Sequence, residues 1–267
     1  MKRALLMLLI CSVAGFAAQQ ADGASKQGTP PGRHVPQAKT HQEFNDYNTA
    51  YAVAGGASME KAADDFSAKY PASELKVYLY SKALHEYQSE NNPAKMLIMG
   101  RKVLQLDPDN SIALVLIATV LADSLDQGDK DREQKIADIK KNATHALETV
   151  DSGFVPPANA TTEEITGYKK TLQSMAHSAL GIMALKSDED ATAEKELQLA
   201  AQLNVTQPDP YIWYHLALAQ DHQKKYDEAL VSVNRALQYA TNNVDLSQLA
   251  KGEQKRLQTL TSGSAPK

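Results

Sequence analysis

The chain has 267 residues, 43% of them hydrophobic, with 28 Lys and Arg against 32 Asp and Glu. That length and composition support one or two folded domains with a sizeable core and exclude a chain disordered throughout. A formal net charge of −4 argues against a general nucleic-acid binder, whose footprint is basic.

The first segment stands apart. Lys2 and Arg3 precede an almost wholly apolar run, Ala4 to Ala18, that ends in small residues. This is the pattern of a secretory signal peptide over residues 1–18. It is shorter than the roughly 20 apolar residues that cross a bilayer. The alternative is a retained anchor, with membrane contact through this segment alone. Cys11 follows Leu9-Ile10, and Ile10 stands where a lipoprotein signal carries a small residue. Cys11 is the only cysteine, so cleavage leaves no disulfide and no Cys-ligated metal. Loss of Lys2 and Arg3 also takes the formal charge from −4 to −6. Residues 19–40, rich in Gln, Gly, Ala, Pro and Lys and without apolar periodicity, read as a flexible linker. Residues 261–267 read as a disordered tail.

Between these ends no strand-like alternation of any length occurs, and apolar residues recur at helical spacing. The helices come in pairs. Residues 43–72 place Phe44, Asp46, Thr49, Ala50 and Val53 on a first helix and Ala62, Phe66 and Lys69 on a second, ending at Tyr70-Pro71, with Asp46 and Lys69 standing where apolar or small residues are expected. Residues 77–110 follow 34 residues later, with Tyr80, Ala83, Leu84 and Tyr87, then Met96, Gly100 and Val103. Pro108 closes that pair, because proline has no N–H to donate and disfavours helix before it. Gly100 inside a helix costs roughly 1 kcal/mol against Ala. Residues 111–151 carry Leu114, Ile117, Ala118 and Leu121, a charged loop from Asp126 to Asp131 whose residues cannot pack, and Ile139, Ala143 and Ala146 on a helix from about Glu133 to Val150.

An irregular connection runs from Asp151 to Thr162. Thr162-Glu163-Glu164 then opens a long helix, its acidic residues favoured by the helix dipole. Residues 163–205 hold His177, Leu180, Gly181 and Ala184, then Ala193, Leu197 and Ala200. Residues 210–243 hold Trp213, Leu216 and Ala217, then Ala229, Val233 and Ala236. A helix over 245–260, polar on much of its surface, closes the series as a cap.

The stretches Asp209 to Tyr239 and Val77 to Asn110 resemble the tetratricopeptide repeat (TPR) family, whose unit is two helices in 34 residues. Tyr226-Asp227-Glu228-Ala229-Leu230 is similar to the start of the family's second helix, and Leu104-Gln105-Leu106-Asp107-Pro108 to its repeat ending. The resemblance implies an all-α TPR solenoid of about five repeats with a C-terminal capping helix, over 41–260. Small residues would sit where paired helices approach and larger ones between repeats. The ending Tyr70-Pro71-Ala72-Ser73 is similar to repeats of bacterial envelope TPR proteins. That implies an exported protein, periplasmic or secreted and envelope-associated.

In such arrays the first helix of each pair lines a concave groove. The resemblance therefore implies a groove presenting Tyr47, Tyr51, Tyr78, His85, Tyr211, Tyr214 and His222, with Phe44, Ser81, Gln88, Ile112, Val115, Thr119, Met175, Ser178, Ile182, Leu218 and Asp221 as their neighbours. This surface is aromatic and aliphatic with few charges, which suits an extended peptide or a partner helix. The implied function is a non-enzymatic protein-interaction scaffold whose protein or peptide partner is unidentified. The basic clamp of chaperone-binding TPR proteins is missing, because Tyr47, Tyr51, Val115 and Thr119 occupy its positions. A structural role, by self-association or by bridging an envelope complex, is the alternative.

Nothing in the chain points to chemistry or to a cofactor. The seven histidines are not at ligand spacing with carboxylates, and the acidic runs lack the order of an EF-hand. No phosphate loop, nucleophile elbow or framed carboxylate pair is present. An enzymatic site in the 151–162 connection would need a nucleophile–base pair that the sequence does not display. Asn142, Asn159 and Asn204 open sequons that matter only in a eukaryotic secretory pathway.

Overall fold

A computed structural model describes residues 35–156, 160–204 and 206–263. The signal peptide expected over 1–18, residues 19–34 of the expected linker and residues 264–267 of the expected tail lie outside them. Among the described residues the chain is all-α, with eleven helices and no strand: α1 His41–Tyr51, α2 Gly56–Lys69, α3 Lys76–Ser89, α4 Pro93–Leu106, α5 Ser111–Ser124, α6 Arg132–Gly153, α7 Thr162–Leu185, α8 Asp190–Leu203, α9 Pro210–His222, α10 Tyr226–Tyr239 and α11 Val244–Gly263. None is long and apolar enough to cross a membrane.

The helix starts follow from local chemistry. Pro93 and Pro210 each stand in a first turn, where a missing N–H costs nothing, behind the capping side chains of Asn92 and Asp209. At α7 the reciprocal cap uses Thr161. Its hydroxyl accepts from Glu164 N at 3.2 Å, and Glu164 Oε2 accepts from Thr161 N at 2.7 Å. The α1–α2 turn needs Gly55-Gly56. Gly55 has φ +85°, and a Cβ on Gly56 would run into the Tyr87 ring. Their N–H groups are taken by Glu86 at 3.0 Å and Glu90 at 2.6 Å.

The described residues form two compact units, 35–120 with 148–169 and 121–147 with 170–263. In the first, α2 packs on α3 and α3 on α4. Ala63, Ala83 and Val103 are fully buried, and the Cβ that Gly100 lacks would meet Ile117 at 2.8 Å. The apparent helix cost of Gly100 is therefore the condition for α4 to lie against α5.

Two stitches of Tyr, carboxylate and Lys hold α2, α3 and α4 in register. Tyr80 Oη donates to Asp64 at 2.8 Å, and Lys102 Nζ donates to the same oxygen at 2.7 Å. Tyr87 Oη donates to Glu60 Oε2 at 2.5 Å, and Lys95 reaches that oxygen at 2.8 Å. Each ammonium also lies near the ring of its tyrosine, 4.8 Å for Lys102 and Tyr80 and 5.7 Å for Lys95 and Tyr87. Burial pushes the Glu60 and Asp64 carboxyls up, but the Lys and Tyr hydrogen bonds outweigh it and leave both below the usual carboxylate range. The Tyr87 phenol is pushed up to about 12 by burial and by the Glu60 bond.

In the second unit, α7 meets α8 where Gly181 faces Leu197, whose Cγ lies 2.6 Å from the Cβ that Gly181 lacks. Ala193, Leu197, Ala200, Ala217, Ala229, Val233 and Ala236 are fully buried. Helix α11 closes this core with Leu246, Ala250 and Leu257. Trp213 packs against the same core from α9.

Several sequence expectations are corrected. Ahead of α1, Gln37 N donates to Glu74 at 3.4 Å, and Thr40 caps the helix. The last helix starts at Val244 and runs to Gly263, into the expected tail. Helix α6 extends through Gly153, so the irregular connection is shorter than 151–162. The charged loop 126–131 is exposed as expected, except for half-buried Asp129, and its neighbourhood is tied to the end of α7. Gln127 and Arg132 donate to Lys186 O at 3.0 and 2.6 Å. Lys186 Nζ in turn bonds Ala122 O at 2.9 Å and Asp123 O at 2.7 Å, which satisfies carbonyls left open at the end of α5.

Because Glu60 and Asp64 sit below their unfolded values, their contribution is present above the ordinary carboxylate range and is lost as pH falls through the depressed folded values. In thermal melts, Glu60→Gln/Asp64→Asn should melt below the parent protein above pH ~5, with the gap closing below pH ~4. A gap independent of pH would contradict the stitches.

Candidate binding cleft

A cleft of about 1040 Å³ opens in the unit built from 35–120 and 148–169. Helix α3 supplies its main wall. Tyr78, Ser81, Lys82, His85 and Gln88 recur at helical spacing along that wall, while Leu79, Tyr80, Ala83 and Tyr87 turn to the core. The end of α1 adds Tyr51, the start of α5 adds Ser111 and Ile112, and the segment after α6 adds Phe154 and Val155.

Each contributor is held in place. Lys82 Nζ donates to Val53 O at 2.8 Å and to Tyr51 O, which caps open carbonyls at the α1 C-terminus. The same ammonium lies 4.7 Å from the Tyr51 ring centre, so Tyr51 is fixed from above by α3. Burial pushes the Tyr51 phenol up. His85 Nδ1 pairs with Gln88 Oε1 at 3.2 Å. An amide oxygen only accepts, so that nitrogen carries the proton, and Nε2 is the ring's remaining polar atom. Gln88 is buried, and its Nε2 donor has no partner among the described residues; the buried Ser111 hydroxyl is in the same position. Gly153 lets the chain pass against the α4–α5 turn, since a Cβ there would collide with the Asp109 carbonyl. That passage delivers Phe154, whose ring lies 6.1 Å from that of Tyr168.

Of the seven residues expected on a groove, the cleft brings together Tyr51, Tyr78 and His85. Tyr47 is 5% exposed, between Tyr51 at 5.6 Å and Phe66 at 6.3 Å, and burial raises its phenol. Tyr211, Tyr214 and His222 belong to the other unit. Tyr211 and Tyr214 are buried in the core that α11 closes, and the Tyr211 hydroxyl accepts from Asn243 Nδ2 at 2.9 Å. His222 is exposed and pairs with Asp190 at 2.9 Å. Tyr47, Tyr211 and Tyr214 thus serve as packing residues, with little surface left to offer.

Sequence reasoning missed Pro36, Phe154 and Val155 on the cleft lining. The signal was an aromatic–aliphatic pair, Phe154-Val155, inside a Gly- and Pro-bearing connection, where no helix periodicity could account for it. Among the described residues no group of three His, Cys, Asp or Glu is placed to hold a metal ion. His177 pairs with Glu196 at 2.7 Å between α7 and α8. The sequon residues Asn142 and Asn204 are buried, and Asn159 lies outside the described residues. No family model matches the chain, and no curated protein matches it.

The division of the tyrosines can be measured. Tyr47→Ala and Tyr214→Ala should each cost about 3–5 kcal/mol in urea unfolding, the range for truncating a buried aromatic residue. His222→Ala should stay within about 1 kcal/mol, as expected of a solvent-exposed pair.

Proposed function

We propose that the chain is a non-enzymatic interaction scaffold of the TPR kind. In this reading, the cleft beside α3 holds an extended peptide or a partner helix. The observation that carries it is the meeting of Tyr51, Tyr78 and His85 on one concave lining that also holds the buried donor Gln88 Nε2. A buried donor left without a partner costs roughly 1–3 kcal/mol, which a bound acceptor would recover. The half-buried tyrosine rings supply contact area at low entropy cost.

Two further observations support a repeat array. Helices α1, α3 and α5 begin 35 residues apart, at His41, Lys76 and Ser111. Fully buried small residues recur seven residues after the start of α3, α5 and α9, at Ala83, Ala118 and Ala217. About five repeats with α11 as the cap is the reading these support. The apolar run Ala4 to Ala18 supports export to a periplasm or cell envelope.

Peptides selected by phage display against the purified protein test the cleft. Tyr78→Ala/His85→Ala, which removes two lining side chains and leaves the α3 core face intact, should weaken the selected peptides by about 10-fold or more. Unchanged affinity in a variant with unchanged far-UV circular dichroism would place binding elsewhere.

A further inference from the structure

Gln88 and Ser111 reach the cleft lining from different helices, α3 and α5. They are 5% and 2% exposed, and Gln88 Nε2 and the Ser111 hydroxyl have no hydrogen-bond partner among the described residues. A buried polar group in that position lowers stability, and an apolar group of the same shape would not. The charged groups of the lining are in the opposite position, because each is engaged within the chain. Lys76 donates to Pro71 O at 2.6 Å, and Lys82 donates to Val53 O and Tyr51 O. Glu86 accepts from Gly55 N at 3.0 Å, Asp107 from Asn110 Nδ2 at 3.1 Å and Glu74 from Gln37 N at 3.4 Å. Asp109 is partnered too. What the cleft holds open is a pair of uncharged donors, on a lining that also carries the rings of Tyr51, Tyr78 and Phe154.

We infer that the cleft takes an uncharged, proline-bearing peptide segment. Its main-chain carbonyls accept from Gln88 Nε2 and the Ser111 hydroxyl, and its pyrrolidine rings lie on the tyrosines. This rests on the peptide-binding reading given above. The open groups select the class. An amide nitrogen only donates and a serine hydroxyl can donate, so the ligand must bring acceptors. A proline residue brings a carbonyl and no N–H, so it meets both donors without burying a further donor of its own. Proline-rich segments also hold a preformed extended helix with open carbonyls and dock on aromatic-lined grooves. One pyrrolidine ring already lies on this lining, that of Pro36.

Fluorescence anisotropy of the purified protein with three end-blocked, labelled octapeptides tests this: an Ala/Pro sequence, the same sequence with each Pro replaced by Ser, and alternating Arg and Ser. The Ala/Pro peptide should bind most tightly, and equally at about 50 and about 300 mM NaCl, because it makes no ion pair. Ser111→Ala and Gln88→Met each remove one donor and should weaken it by about 2- to 10-fold, the size of one net hydrogen bond. Ser111→Ala should also unfold at higher urea than the parent, since it removes a buried group that has no partner in the free protein. A hydroxyl with a merely structural role would lower that midpoint when lost. Ser178→Ala removes a buried, unpartnered hydroxyl from α7 in the other unit and should leave the peptide affinity unchanged. If the Ser-substituted peptide binds as tightly as the Ala/Pro peptide, or the Arg/Ser peptide binds most tightly, the proline inference fails and the peptide-binding reading stands. Unchanged affinity in Ser111→Ala also sinks the inference alone. If none of the three binds but the phage-selected peptides do, only the inference fails. If neither set binds, the reading beneath it falls as well.

Discussion

The constraint on which the rest depends is close approach between packed helices at residues with little or no side chain. Gly181 accepts Leu197 where any Cβ would collide, and Gly100 does the same for Ile117. Ala63, Ala83, Ala118, Ala143, Ala200, Ala217 and Ala236 are all fully buried. Interaxial distance is set by the side chains at the contact, so small residues there bring two backbones together and leave wedge-shaped space a turn away. Large residues fill that space: Met59, Leu79, Met99 and Leu197 are fully buried beside the small ones. A pair of helices packed in this way still has an apolar outer face, which is why such pairs occur in series and end in a helix like α11.

Helix α3 shows how this packing leads to a site. Its tyrosines alternate between two duties because 3.6 residues make a turn. Tyr80 and Tyr87 face the core side and donate to Asp64 and Glu60, where Lys102 and Lys95 complete each stitch. Tyr78, Ser81 and His85 fall on the other side and line the cleft. The stitches fix the rotation of α3 about its axis, and that rotation decides which residues the cleft receives. Lys82 links the two faces, because it closes the end of α1 and holds Tyr51 against α3. A cleft wall made in this way is a rigid helix face whose side chains are already placed, which lowers the ordering cost of binding.

Much of this was legible in the sequence. Apolar spacing gave the helix pairs, and the groove-facing positions picked out Tyr51, Tyr78 and His85. Tyr47, Tyr211 and Tyr214 were not separable from these, because periodicity assigns a residue to a face of its helix and says nothing about what covers that face. Leu246, Ala250 and Leu257 of α11 cover the face of α9 that carries Tyr211 and Tyr214. Phe66 lies edge-on to Tyr47. The end of α11 was missed because its last turn, Leu260 to Gly263, is too polar to show an apolar stripe.

Close packing divides the aromatic residues into a buried set and one set that forms a cleft beside α3. Amide chemical-shift mapping during titration with a selected peptide ligand tests this division directly. The account predicts perturbations concentrated at Tyr51, along the 78–88 face of α3 and at 152–155, with Tyr211 and Tyr214 silent. Perturbations concentrated on α9, with α3 unmoved, would contradict it.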